Sequence, residues 1–212
     1  MVQGTQISAE SILALQQEKK FIRDDKNVDK SILAELKDVH LEWADISKIE
    51  NLDLVPACTS LYLQGNNLTR IENISPLASQ LVFLALQRNN ITRVENLLEC
   101  SQLQFLDMSH NKIDALEYFE LPTTLAIVLF IGNGCANQID YRQEIIARCP
   151  DMYEIDNLSV DQVHQNGEER FSDQVEETFL RRKFEFFDHY FAKFAPKSKL
   201  LFQNRKFYPP KN

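Results

Sequence analysis

The chain has 212 residues, 44% of them hydrophobic and 25% charged, and a formal net charge of −8. That length supports one sizeable core with extensions rather than several independent domains. The acidic balance argues against a non-specific nucleic-acid binder, whose footprint is basic. The first residues show neither a long apolar run nor a cleavage-site pattern, so neither a signal peptide nor a membrane span is expected there.

The first predicted element is a helix beginning after Ser8. Ser8 is suited to the N-cap, Glu10 to the positive first turn, and Ile7 and Ile12 to a hydrophobic staple. Ile12, Leu15 and Ile22 then recur near helical spacing. Such a helix is expected to cover the open end of the structure that follows, with docking of a partner as the alternative.

From Leu36 the chain repeats itself about every 22 residues. The clearest copies are Leu61-Leu63-Asn66-Leu68-Ile71, Leu84-Leu86-Asn89-Ile91-Val94 and Leu106-Met108-Asn111-Ile113-Leu116. Leu36-Val39-Leu41-Ala44-Ile46-Ile49-Leu52 precedes them with alanine where the others have asparagine, and Leu125-Val128-Phe130-Asn133-Cys135 follows. A terminal repeat is often atypical because one of its faces has no neighbour. Each repeat is expected to supply a short strand, after which its asparagine hydrogen-bonds backbone groups of the adjacent turn. Stacking then lines up Asn66, Asn89, Asn111 and Asn133 as a ladder. The expected fold class is α/β: a solenoid of short parallel strands, about five repeats and a cap, with an N-terminal helix and a long C-terminal helix. Such a period shifts the expectation from enzyme to binding scaffold.

After the fifth repeat comes Tyr141-Arg142, a helical stretch to Arg148, then Cys149-Pro150 and Met152-x-x-Ile155-Asp156. This run resembles the C-terminal cap of intracellular short-repeat leucine-rich repeat proteins, in which a Tyr-Arg helix leads into a last strand. That class is typified by a protein phosphatase-1 regulator, a dynein light chain and several ciliary proteins. A narrower resemblance rests on Tyr62-Leu-Gln-Gly-Asn66, Val94-Glu-Asn-Leu-Leu98, Leu103-Gln-Phe-Leu-Asp107 and Gly132-Asn-Gly-Cys-Ala-Asn-Gln138. This combination resembles the family of leucine-rich repeat-containing protein 46 and its axonemal relatives. The resemblance implies a place in motile cilia or sperm flagella.

Strand side chains alternate, so the residues between the strand leucines face away from the core toward the concave side. Tyr62, Phe83, Phe105, Ile127 and Leu129 would form an apolar strip there, with Asp107 beside it and Arg88, Trp43 and His110 at its edge. Aromatic anchors with a polar rim are the usual anatomy of a protein interface. The expected occupant is a helix of a partner protein, with the chain's own C-terminal helix as the competing occupant.

From Glu168 to Phe194 there is neither proline nor glycine. Leu180, Phe184, Phe187, Phe191 and Phe194 form one apolar seam at alternating spacings of four and three, with Phe179, Phe186 and Tyr190 beside it. A second partner-binding surface is expected on this helix, because monomers seldom leave large apolar patches in water. Beyond Pro196 the tail is basic and aromatic, with Lys197, Lys199, Arg205, Lys206 and Lys211 and no acidic residue. It is suited to an acidic partner such as tubulin, or to solvent.

The four cysteines show no paired spacing and read as small core residues, which fits a cytoplasmic protein. Asn67, Asn73, Asn90 and Asn157 begin Asn-x-Ser/Thr sequons, read as by-products of an asparagine-rich repeat. With no phosphate loop, metal-ligand cluster or nucleophile signature, no catalysis, cofactor, metal, small-molecule substrate, nucleic acid or membrane is expected. The expected organisation is a helical cap over 1–35, repeats and cap over 36–157, an aromatic helix over 158–195 and a tail over 196–212. The resulting expectation is a non-catalytic scaffold binding other, axonemal, proteins. The alternative is a regulatory subunit of a protein phosphatase-1-type catalytic subunit.

Overall fold

The computed structural model describes residues 5–16, 30–115 and 119–160. The expected aromatic helix from residue 161 on, the basic tail, Ile22 and Leu116 lie outside the described residues, while Leu158–Ser159, expected to open that helix, form a strand instead. Strands β1 (Asp38–His40), β2 (Ser60–Tyr62), β3 (Phe83–Ala85), β4 (Phe105–Asp107) and β5 (Ile127–Leu129) fall on the five predicted repeats. They form one parallel sheet in sequence order, with Asp38, Ser60, Phe83, Phe105 and Ile127 in register across it. Each strand is three residues long because the next residues must turn away to build the rest of the repeat.

The central residue of every strand points into the core, and Val39, Leu61, Leu84, Leu106 and Val128 are all fully buried. Each such side chain contributes roughly 1.5–3 kcal/mol by leaving water. Behind the sheet, Leu52–Leu54, Ser75–Leu77 and Gly134–Asn137 form short 3₁₀ turns whose apolar residues close the core from the other side.

The asparagine ladder is present as expected. Asn89 donates to the carbonyls of Leu63 and Leu86 at 2.9 and 3.0 Å and accepts the Leu68 N–H at 3.0 Å. Asn66 and Asn111 repeat the arrangement one turn away on either side, and Asn133 one turn further on. A second ladder runs along the back of the solenoid. Asn51, Asn73 and Asn96 each donate at 2.7 Å to a carbonyl of the preceding turn, those of Ile7, Ile49 and Ile71. All three adopt the left-handed conformation, which asparagine tolerates better than most residues. The Asn73 sequon is therefore engaged in the fold.

Both ends of the sheet are closed. Helix α1 (Ala9–Leu15) starts at Ser8, whose hydroxyl accepts the Ser11 N–H while Ser11 accepts the Ser8 N–H. The reciprocal partner is thus Ser11 and not an acidic residue. Gln16, just after α1, donates to the His40 carbonyl and accepts the His40 N–H, both at 3.1 Å. One amide side chain thereby stands in for a missing strand on the open edge of β1. A short helix α2 (Lys30–Leu33) leads into β1. At the other end, α3 (Tyr141–Arg148) precedes β6 (Glu154–Ile155), which pairs parallel with β5. A final strand, β7 (Leu158–Ser159), pairs antiparallel with β6, a hairpin the repeat pattern does not foretell.

Candidate partner-binding face

The sheet side chains that do not enter the core form columns on the other face, the concave face of a solenoid of this kind. The first column is Asp38, Ser60, Phe83, Phe105, Ile127 and Glu154, and the second is His40, Tyr62, Ala85, Asp107 and Leu129. Ladder hydrogen bonds continue past the strands, from the N–H groups of Trp43, Gly65, Arg88 and His110 to the carbonyls of Gln64, Gln87, Ser109 and Ile131. Alternation therefore adds a third column, Glu42, Gln64, Gln87, Ser109 and Ile131.

Aromatic rings cross this face obliquely. His40 stacks on Tyr62 with centroids 4.4 Å apart, Tyr62 meets Phe83 at 5.1 Å, and Phe83 stacks on Phe105 at 4.4 Å. Such contacts add about 0.5–1.5 kcal/mol each beyond area burial. Ile127 continues the row beside Phe105, and Leu129 lies beside Asp107. Five of the seven sequence-predicted residues thus form the apolar strip, with Asp107 against it. Tyr62 and Phe83 are half-buried, whereas Phe105, Ile127 and Leu129 are buried without joining the main core. The register also adds Glu154 to the first column, which repeat spacing did not reach. The predicted residues Phe179, Leu180, Phe184, Phe186, Phe187, Tyr190, Phe191 and Phe194 lie outside the described residues.

Arg88 belongs to a different row. With Trp43, Gly65, His110 and Gly132 it occupies the turn just before each ladder position, and all five have φ between 56° and 78°. Left-handed backbone strains a residue with a Cβ by roughly 1–2 kcal/mol. Glycine avoids that strain at two of the five turns. The glycines also make room: a Cβ at Gly65 would run into the Trp43 ring, and one at Gly132 into the His110 ring. Trp43, 57% exposed, lies at one end of this row.

Electrostatically the face is acidic, with Asp38, Glu42, Asp107 and Glu154 on its columns. Asp107 is buried, and burial pushes its carboxyl from 3.8 up to about 6, against the lowering effect of the Ser109 N–H it accepts at 2.9 Å. A raised carboxyl leaves stability fully present below pH about 4 and lost as pH rises through about 6. Asp107→Asn keeps the Ser109 hydrogen bond and removes that loss. Relative to wild type it is expected to gain on the order of 1–3 kcal/mol at pH 7.5 and little at pH 4. Urea unfolding at the two pH values checks this, and an equal difference at both would contradict it.

The chemistry on offer is recognition. Among the described residues no group of His, Cys, Asp and Glu is placed to hold a metal ion, and no helix is long and apolar enough to cross a membrane. Cys58, Cys100, Cys135 and Cys149 are buried free thiols, pushed up by burial to about 12 for Cys58 and about 11 for the others. That disfavours the reactive thiolate.

A family model described as leucine rich repeat matches residues 56–113, the span that holds β2, β3 and β4. No curated protein matches the chain. Among solved structures, a chain of the Drosophila melanogaster SNF/U2A' complex is similar, with a TM-score of 0.55 and 21% identity over 74% of this chain and 86% of that one. A leucine-rich repeat protein of Leptospira interrogans gives a TM-score of 0.48 and 18% identity, over 60% of this chain and 33% of that one. An internalin of Listeria monocytogenes gives 0.46 and 18%, over 69% and 47%. The chain thus spans a third to a half of those two bacterial proteins. With its stacked parallel strands, its asparagine ladder, the family match over residues 56–113 and the likeness to the Drosophila chain, the chain carries a leucine-rich repeat solenoid.

Proposed function

We propose that this protein is a non-catalytic scaffold that binds other proteins through the concave face of its repeats. The observation that carries this reading is the aromatic row Tyr62–Phe83–Phe105, set among carboxylates on the sheet face opposite the core. Large rings held in register give contact area without losing much conformational freedom on binding, as interface anchors do. The neighbour from the SNF/U2A' complex is itself part of an assembly, which supports a binding role for the fold. Fold likeness does not choose the partner.

Within that role, we assign the protein to the cytoplasm and the axoneme of cilia or flagella. The support is the sequence resemblance carried by Tyr62–Asn66, Val94–Leu98, Leu103–Asp107 and Gly132–Gln138. In this reading 36–157 form the repeat domain and make the main attachment, α3 and β6 act as its Tyr-Arg cap, the aromatic segment to Phe194 adds a second contact with the assembly, and the tail meets tubulin. The second reading is a regulatory subunit of a protein phosphatase-1-type catalytic subunit. It draws on the same aromatic row and on the cap shared with such a regulator.

Sequential extraction of axonemes from ciliated cells separates the two. Retention of the full-length chain through detergent and high salt is the expected result. Release with the soluble fraction, together with stoichiometric copurification of a phosphatase, would replace the axonemal reading with the second one.

A further inference from the structure

In the third column of the concave face, Gln64 is 1% exposed and Gln87 6% exposed. The side-chain Oε1 of each is buried and has no hydrogen-bond partner among the described residues. A buried acceptor without a donor has lost its water and gained nothing in return, a state most buried polar atoms avoid. Two such acceptors stand on neighbouring turns, on the order of 5 Å apart by strand spacing. Glu42 precedes them in the column, its Oε1 3.3 Å from the His40 Nδ1, and the Asp107 carboxyl lies diagonally beyond Gln87. The column and its flank therefore offer oxygen acceptors. The next column holds the ring of Tyr62 and the one beyond it the ring of Phe83, both half-buried and tilted by 37° to one another.

We propose that this patch is a receptor for an arginine side chain on the protein segment that occupies the concave face. The inference rests on the concave-face reading above and names what that face selects. A guanidinium has five donors and no acceptor, in a plane that spans neighbouring oxygens and stacks on aromatic rings. A lysine ammonium is a compact, strongly hydrated point charge and neither stacks as a plane nor bridges two amides as well. Because Gln64 and Gln87 are already cut off from water, hydrogen bonds to them form without a further desolvation loss on this side. The occupant is thus a segment with an apolar or aromatic stripe and one arginine beside it. It enters past Tyr62 and Phe83, and its positive charge complements the carboxylates of the face.

A selection of helical peptides displayed from a randomised library on the immobilised full-length chain tests this. The expected result is enrichment of arginine at one position flanking an apolar stripe. Binding of the selected peptides should fall about tenfold or more on a Gln64→Leu, Gln87→Leu chain, the weight of at least one lost charge-assisted hydrogen bond. Gln64→Glu should retain or strengthen binding. These replacements remove or keep an acceptor without leaving a cavity, and circular dichroism of each variant verifies the fold. Peptides that lose affinity on Phe83→Ala yet lack arginine, or ignore the glutamine variants, would overturn the arginine receptor and leave the concave face standing. Peptides indifferent to Phe83→Ala, or no binders at all, would remove both.

Discussion

Asn89→Ala is expected to cost about 2–4 kcal/mol, a large part of the stability of a domain of ordinary size. The asparagine satisfies two buried carbonyls and one buried N–H at the centre of the solenoid. Alanine strands the Leu68 N–H out of reach of water, at roughly 1–3 kcal/mol, and takes one of two donors from each carbonyl, since Asn66 still serves Leu63 and Asn111 still serves Leu86. Asn89→Asp is no remedy, since a carboxylate accepts the Leu68 N–H but turns negative oxygen toward the carbonyls of Leu63 and Leu86. A repeat array is stable through contacts between neighbouring turns, so the lesion should also broaden the unfolding transition. Urea denaturation followed by far-ultraviolet circular dichroism reads both effects. Asn67→Ala is the control, because the side chain of that exposed asparagine bonds only the Asp45 side chain among the described residues, and its backbone bond to Ile46 survives the change. Equal midpoints for the two variants would contradict the ladder's energetic role.

Asp156→Ala is expected to cost about 3 kcal/mol, for a different reason. Along the sheet the N–H groups of Leu41, Leu63, Leu86 and Met108 each donate to a carbonyl of the next strand, those of Tyr62, Ala85, Asp107 and Leu129. Phe130 is next in this series, and β6 is only two residues long. Its N–H donates instead to Asp156 Oδ1 at 2.7 Å, so a side chain takes over where the strand stops. The other oxygen accepts the Tyr141 hydroxyl at 3.0 Å and lies 3.6 Å from Arg142 Nη2. Alanine strands a backbone N–H, a buried phenol and a half-buried guanidinium together. Asp156→Asn keeps its amide oxygen for the Phe130 N–H and turns its NH2 to the Tyr141 hydroxyl, which can accept it, so it should lose about 1 kcal/mol, mainly through Arg142. Equilibrium unfolding of the pair measures the difference, and near-equal losses would show that the charge, rather than the Phe130 bond, is what matters.

Much of this architecture could be read from spacing because a solenoid is built from local, repeated decisions. Leu61, Leu84 and Leu106 announce the strands by alternation, and Asn66, Asn89 and Asn111 announce the ladder by recurring at one position. The second ladder was just as periodic. Asn51, Asn73 and Asn96 each follow an apolar residue and a glutamate, at the same repeat spacing. The strand-side pattern does not single them out, because they fall in the turns behind the sheet, and Asn73 also begins a sequon. The left-handed row was half visible. Gly65 and Gly132 mark the turn, while Trp43, Arg88 and His110 adopt it against their own preference, which only the stacking of the repeats enforces. Alternation puts Asp107, Gln64 and Gln87 on the concave face but says nothing of their burial, which depends on three-dimensional neighbours. The β7 hairpin falls after the last repeat, where no period exists to extrapolate.

The concave face as the partner-binding surface is tested most directly by repeating the axoneme extraction with a Phe83→Ala, Phe105→Ala chain beside the wild type. Circular dichroism and urea unfolding first establish that the double variant keeps its repeat fold. The expected result is release of the variant in salt that leaves the wild type bound, because the stacked pair at the centre of the face has been removed. Identical retention of the two folded chains would place the attachment elsewhere and contradict the concave face as the site.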